Sequence, residues 1–190
     1  MRILALVEPI TPDRDAKLQT LVSRFGLEGW GDRKRLLFTQ YADTARYLHD
    51  ALNPGGDRTD IEVLYSGDRS KARVIGRFSP RSNPEQRPRG DEGEISLLIA
   101  TDVLSEGLNL QDCDTIINYD LHWNPVRLIQ RFGRIDRIGS TNEHVWGFNF
   151  LPETMLDRNL GLRRTLGRRI QERHDTIGED AAILELTERL

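Results

Sequence analysis

Residues 95–102 read Ile-Ser-Leu-Leu-Ile-Ala-Thr-Asp (ISLLIATD), the most apolar run in the chain, closed by two small polar residues. Six residues are too few for a helix of ordinary length, and a strand buried on both faces reads as such a continuous run. Working outward, Leu36–Phe38, Ile61–Tyr65, Thr115–Tyr119 and His144–Phe150 read as four more strands. Helical patterns separate them. Leu18, Leu21, Val22 and Phe25 repeat at helical spacing, with Thr11-Pro12 as a start signal and Gly26 as a stop, so an N-terminal helix is expected within 12–25. Tyr41, Ala45, Leu48 and Leu52 share a face of the next, which Asn53-Pro54-Gly55-Gly56 ends; Ala72–Phe78 and Val126 to about Arg137 follow. Strands alternating with helices predict an α/β fold, a doubly wound and mostly parallel sheet.

Residues 1–150 form this lobe. Beyond it, 151–190 read as a helical extension: an arginine-studded helix to about His174, then a shorter one from Glu179. The arginine face is either solvated surface or a contact with phosphates. Ser79–Glu94 holds two Pro-terminated turns, Gly90, Gly93 and many charges with almost nothing apolar, and is expected to be exposed and mobile.

At 190 residues the chain suits one domain, and 37% hydrophobic against 30% charged residues is globular composition. A single cysteine, Cys113, excludes a disulfide framework and a cysteine-rich zinc site. No apolar run is long enough for a membrane span, and Glu8 and Pro9 interrupt the opening apolar residues too early for a signal peptide, so a cytoplasmic location is expected. Net charge is −3, which excludes a globally basic protein. Yet only Lys17, Lys34 and Lys71 among the 27 basic residues are lysines. Arginine's planar fork suits phosphate or carboxylate.

In open parallel sheets ligands lie beyond the carboxyl ends of the strands. The residues there are small and polar: Thr39-Gln40, Ser66-Gly67, Thr101-Asp102 and Asp120 to Pro125. Such corners suit a polyanion, though each alone is equally an ordinary turn. There is no Walker A loop, no Gly-x-Ser-x-Gly elbow, and no metal-binding spacing among His49, His122, His144 and His174. In QRFGRIDRIG (130–139), Gln130, Arg134 and Arg137 are spaced to share one helical face. So much positive charge beside the one nearby acid, Asp136, is costly unless an anion meets it, and a transferring phosphoryl group is one candidate.

LLFTQYADTARYL, VLYSGDRSKARVIGRF, ISLLIATDVLSEGLNLQDCDTIINYDLHWNP and RLIQRFGRIDRIG together resemble the second RecA-like lobe of superfamily 2 helicases and translocases, in the family's own order. EGLNLQ, NYDLHWNP and GRIDRIG resemble, more narrowly, Swi/Snf-type ATPases near the bacterial RNA-polymerase-associated remodeller. The eukaryotic remodellers carry Asp-Arg-x-His-Arg where this chain has Gly-Arg-Ile-Asp-Arg. The resemblance implies that Arg134 and Arg137 act as arginine fingers toward ATP and that Gln130, Gly107 and Glu106 lie at the nucleotide. It further implies that Thr39, Gln40, Gly67, Thr101, Trp123 and Asn124 touch nucleic-acid backbone. Mg²⁺ and most phosphate ligands would come from an N-terminal RecA-like lobe in a longer protein, so the isolated chain is expected to be inactive. The implied partners are duplex DNA or another nucleic acid, that first lobe, and RNA polymerase or another bound protein; no membrane is involved. A catalytically inert binding module and a strand-separating DNA or RNA helicase lobe remain alternatives.

Overall fold

The computed structural model describes residues 11–25, 33–65, 67–87, 90, 92–101, 108–122, 124–136, 140, 142 and 144–151. The expected helical extension therefore lies outside the described residues. Five parallel strands form one sheet: β1 (Arg35–Phe38), β2 (Ile61–Leu64), β3 (Leu97–Ala100), β4 (Thr115–Asn118) and β5 (Trp146–Asn149), in the order β2-β3-β1-β4-β5. The α/β expectation holds; β1 begins one residue earlier than its apolar run, and the other four strands are slightly shorter than theirs.

Side chains on a strand alternate between faces, and the core divides accordingly. Leu36, Phe38, Leu98, Ala100 and Ile116 point to one side, Leu37, Leu97, Ile99 and Ile117 to the other. Helices α1 (Ala16–Phe25) and α2 (Ala42–Leu52) cover the second side through Leu18, Leu21, Ala45 and Leu48. Helices α3 (Lys71–Phe78) and α4 (Pro125–Phe132) cover the first, through Val74, Ile75, Phe78 and Phe132. Only the β1-to-β2 connection runs across the sheet in the opposite direction to the others, and among the described crossover helices only α2 lies on the face away from α3 and α4. A single crossover hand requires that pairing. Neighbouring β1 and β4 consequently send their chains to opposite faces, which opens a crevice at their carboxyl ends.

Local chemistry explains the helix ends. The Asp15 carboxylate accepts from the N–H groups of Lys17 (2.9 Å) and Leu18 (3.0 Å), starting α1 after the 3-10 turn Pro12–Arg14. Asn124 caps α4 by accepting from Val126 N–H at 3.0 Å, with Pro125 in the first turn. Gly147 on β5 leaves room for the Phe132 ring, since a Cβ there would stand 1.9 Å from it.

Three expectations need correction. Tyr41 does not share the buried face of α2: it precedes the helix in extended backbone and is exposed. Helix α4 stops at Phe132, because Gly133 follows and the next backbone bonds tighten, Arg134 N–H to Arg131 O and Ile135 N–H to Phe132 O. And the first half of the 79–94 segment is pinned, by polar rather than apolar anchors. Asp112 accepts from Arg81 N–H (2.8 Å) and Ser82 N–H (3.0 Å), while the Asn83 amide donates to the carbonyls of Ser79 and Asn109. The 3-10 turn Pro84–Gln86 then lies directly on Gly76 of α3.

Candidate functional site

The carboxyl edge of the sheet gathers Thr39, Gln40, Thr101, Tyr119 and Asp120. The ladder continues past the strands there: Thr39 N–H donates to Ala100 O, Thr101 N–H to Leu64 O, and Tyr119 N–H to Phe38 O. Asp120 is the hub. Its carboxylate accepts from the Thr39 hydroxyl, from Gln40 N–H at 3.3 Å, and from the Lys17 ammonium at 3.1 Å. Lys17 also sits 3.8 Å from the centre of the Tyr119 ring. Burial pushes the Tyr119 hydroxyl up, with the nearby Asp15 adding to the effect.

Thr39 is fully buried, its hydroxyl held by Asp120 and its N–H by Ala100. It shapes the edge rather than facing a ligand directly. Gln40 is half-buried at the rim, Gly67 is exposed in a turn with φ +79°, and Thr101 is buried. Only Gly67 needs glycine's freedom of φ here. Asn124 serves as the α4 cap, its own N–H held by His122 Nδ1 at 2.9 Å. Trp123, Glu106, Gly107 and Arg137 lie outside the described residues.

The arginine-rich segment splits into two roles. Arg131 is buried: Nη1 donates to Asn118 Oδ1 at 2.7 Å, and its guanidinium carbon lies 4.7 Å from the Phe38 ring centre. Nothing in the local spacing distinguishes it from its neighbours. Gln130 is exposed on α4, and Arg134 is half-buried in the turn beyond it, so the two do not share a helical face. The Arg134 carbonyl accepts from Leu110 N–H at 3.1 Å, tying the GRIDR turn to the end of EGLNL. Among the described residues no group of three or more His, Cys, Asp or Glu is placed to hold a metal ion. Cys113 is buried, and desolvation pushes its thiol up to about 12, so it serves packing rather than nucleophilic chemistry. No described helix is long and apolar enough to cross a membrane.

A cleft of about 790 Å³ lies at the opposite, amino edge of the sheet, lined by ion-paired residues such as Lys34 with Glu94 and Arg58 with Asp60. It is remote from the corners just described.

The profile described as "Helicase conserved C-terminal domain" matches residues 16–139. An uncharacterized ATP-dependent helicase, YqhH, of Bacillus subtilis is 38% identical over 116 residues, 60% of this chain and 18% of that protein. The ATP-dependent RNA helicase DBP8 of Pyricularia oryzae is 29% identical over 143 residues, covering 74% of this chain and 22% of its own length. This chain thus spans about a fifth of either relative. Among solved structures, S. cerevisiae Dbp5 bound to RNA and ADP BeF3 superposes with a TM-score of 0.54 at 20% identity, over 80% of this chain and 36% of that one. The C-terminal part of the Fun30 ATPase domain gives 0.52 at 16%, over 77% and 44%. These structures share the RecA-like α/β fold. Because the matched region takes in the whole of α1 to α4 and the first four strands, the chain belongs to the helicase conserved C-terminal domain family.

Proposed function

We propose that the chain is the second lobe of an ATP-driven nucleic-acid motor of the Swi/Snf type, which moves along duplex nucleic acid and displaces bound proteins such as RNA polymerase. The observation that carries this reading is the Leu110 N–H to Arg134 O bond. It holds the segment that follows Glu106-Gly107 against the turn that leads into Arg137. Two stretches expected at the nucleotide are thereby coupled, although they lie more than twenty residues apart in the sequence.

Arg134 and Arg137 would supply positive charge where it develops on the transferred phosphoryl group, with Gln130 between that cleft and the nucleic-acid path. Gln40, Gly67, Thr101, Trp123 and Asn124 would position the backbone, and Thr39 would act through Asp120. Mg²⁺ neutralises phosphate charge when bound. Its ligands are assigned to an N-terminal lobe, in keeping with the family's division of labour.

A second reading is strand separation on DNA or RNA. It is favoured by the relatives' names, which include RNA helicases and, for fml2 of Schizosaccharomyces pombe, a putative DNA helicase.

The test uses the complete protein. Arg137→Ala should lower kcat by about 10³–10⁵-fold with little change in nucleic-acid affinity. Arg137→Lys should rescue poorly, because a point charge does not reproduce the fork. A stable Arg137→Ala protein with normal turnover removes the arginine-finger assignment. The 190-residue chain alone, with Mg·ATP and duplex DNA, should release phosphate only at background rate. Displacement of a labelled strand by the complete protein would select the second reading over the first.

A further inference from the structure

Tyr41 stands at the amino end of α2, where Ser, Thr, Asp or Asn ordinarily closes the helix with a side-chain bond. It makes no such bond. Nor does it join the core, for it is 64% exposed, the most exposed of the large hydrophobic residues among those described. Tyr41 therefore adds to neither helix capping nor burial, while its position is specific. It sits three residues past the end of β1, at the crevice where the β1 and β4 chains diverge to opposite faces.

The backbone beneath the ring is fixed. Gln40 N–H and the Thr39 hydroxyl both donate to Asp120, and Tyr41 N–H reaches Thr39 Oγ1 at 3.5 Å. Local charge is balanced: Asp120 pairs with Lys17 at 3.1 Å, and Asp43 in the first turn of α2 pairs with Arg46 at 2.8 Å. This corner thus offers a phosphate little net attraction. What it offers is a flat, solvent-facing ring on a rigid base. Arg46 also lies 5.1 Å from the centre of the Tyr65 ring, just beyond β2, placing a second aromatic near the same edge.

We propose that Tyr41 stacks on an unpaired base of a nucleic-acid strand lying across the carboxyl edge. The contact rests on the nucleic-acid reading above, in its strand-separating form. Every base has a π face, so the contact would tolerate any sequence.

The experiment measures binding of the 190-residue chain to a short single-stranded oligonucleotide, and to the same oligonucleotide with abasic positions, by fluorescence anisotropy at low salt. Tyr41→Ala should weaken binding to the intact oligonucleotide by roughly 5- to 150-fold and to the abasic one by less than about twofold. Tyr41→Phe should stay within about twofold of the unmodified chain, since the ring rather than the hydroxyl carries the contact. Both variants should melt at the unmodified temperature, because the side chain is exposed. Equal loss on both oligonucleotides, no loss for Tyr41→Ala, or a Phe variant as weak as Ala overturns the stacking while leaving nucleic-acid binding in place. An unmodified chain that binds neither oligonucleotide overturns both the stacking and the strand-separating reading on which it rests, and leaves the duplex reading in place.

Discussion

Arg131 Nη1 donates to Asn118 Oδ1 across 2.7 Å in the interior, joining α4 to the last residue of β4. The Asn118 amide in turn donates to Asn149 Oδ1 on β5 at 2.8 Å. A buried polar relay thus runs from helix to sheet and along two strands, with the Phe38 ring against the guanidinium. Arg131 belongs to the lobe's architecture, while Arg134, three residues on, lies in the turn outside the helix.

Arg131→Met keeps most of the volume and removes the donor, leaving Asn118 Oδ1 short of its strongest partner. A hydrogen bond to a charged group is worth about 1.5–3 kcal/mol, and an orphaned buried acceptor costs a similar amount. The expected loss is about 2–4 kcal/mol, on the order of 5–15 °C in melting temperature for a chain of this size. Thermal unfolding followed by circular dichroism checks it. A Met variant melting with the unmodified chain would mean that the relay is energetically idle.

The sheet was legible because both faces of a parallel strand are buried, which writes LLIA and LLF as unbroken apolar runs. Arg131 was not, because spacing cannot tell a cation facing solvent from one meeting an asparagine on a strand. Tyr41 misled for a related reason. Its spacing to Ala45 and Leu48 is helical, but its backbone (φ −115°, ψ 131°) is not, so it leaves the face that the periodicity assigns. The 79–94 segment looked unanchored because its anchors are carboxylate and amide groups, and Asp112 is about thirty residues away from the N–H groups it accepts.

That anchoring makes Gly76 sensitive. A Cβ at Gly76 would stand 1.9 Å from the Gln86 carbonyl oxygen, a backbone atom that can yield only if the whole 3-10 turn lifts. Gly76→Ala should cost about 1–3 kcal/mol of local stability and speed trypsin cleavage after Arg81 by roughly 5- to 100-fold. Mass spectrometry of the early digest reads this directly. Rapid cleavage at Arg81 in the unmodified chain would contradict the pinned segment.

Acid should unfold the chain partly through Asp60. Hydrogen bonding from Arg58 holds this carboxyl down to about 2, with Ser96 assisting and partial burial opposing. Because the folded value lies below that of an unfolded aspartate near 4, the stabilisation is complete above about pH 4 and is lost as pH falls toward 2. Asp60→Asn should flatten the dependence of the urea midpoint on pH between about 4 and 2, leaving the neutral-side slope unchanged. An identical acid limb in the variant would remove Asp60 as a contributor.

Asp120 binds two partners of very different worth. Lys17 and Asp120 form a pair whose side chains are 39% and 23% exposed, and pairs of that kind contribute about 0.2–1 kcal/mol, less in salt. Thr39 is fully buried, and its hydroxyl donates to a charged acceptor, an arrangement worth about 1.5–3 kcal/mol. A double-mutant cycle separates the two. Thr39→Val with Asp120→Ala should show a coupling above about 1 kcal/mol that persists in high salt, whereas Lys17→Ala with Asp120→Ala should fall below it and shrink as salt is added. Asp120→Asn is the decisive control: it keeps an oxygen to accept from Thr39 and Gln40 but loses the charge that Lys17 needs. It should therefore resemble Lys17→Ala in stability more than Asp120→Ala. If Asp120→Asn is instead as damaging as Asp120→Ala, the bonds from Thr39 and Gln40 depend on the carboxylate's charge and not only on an acceptor oxygen.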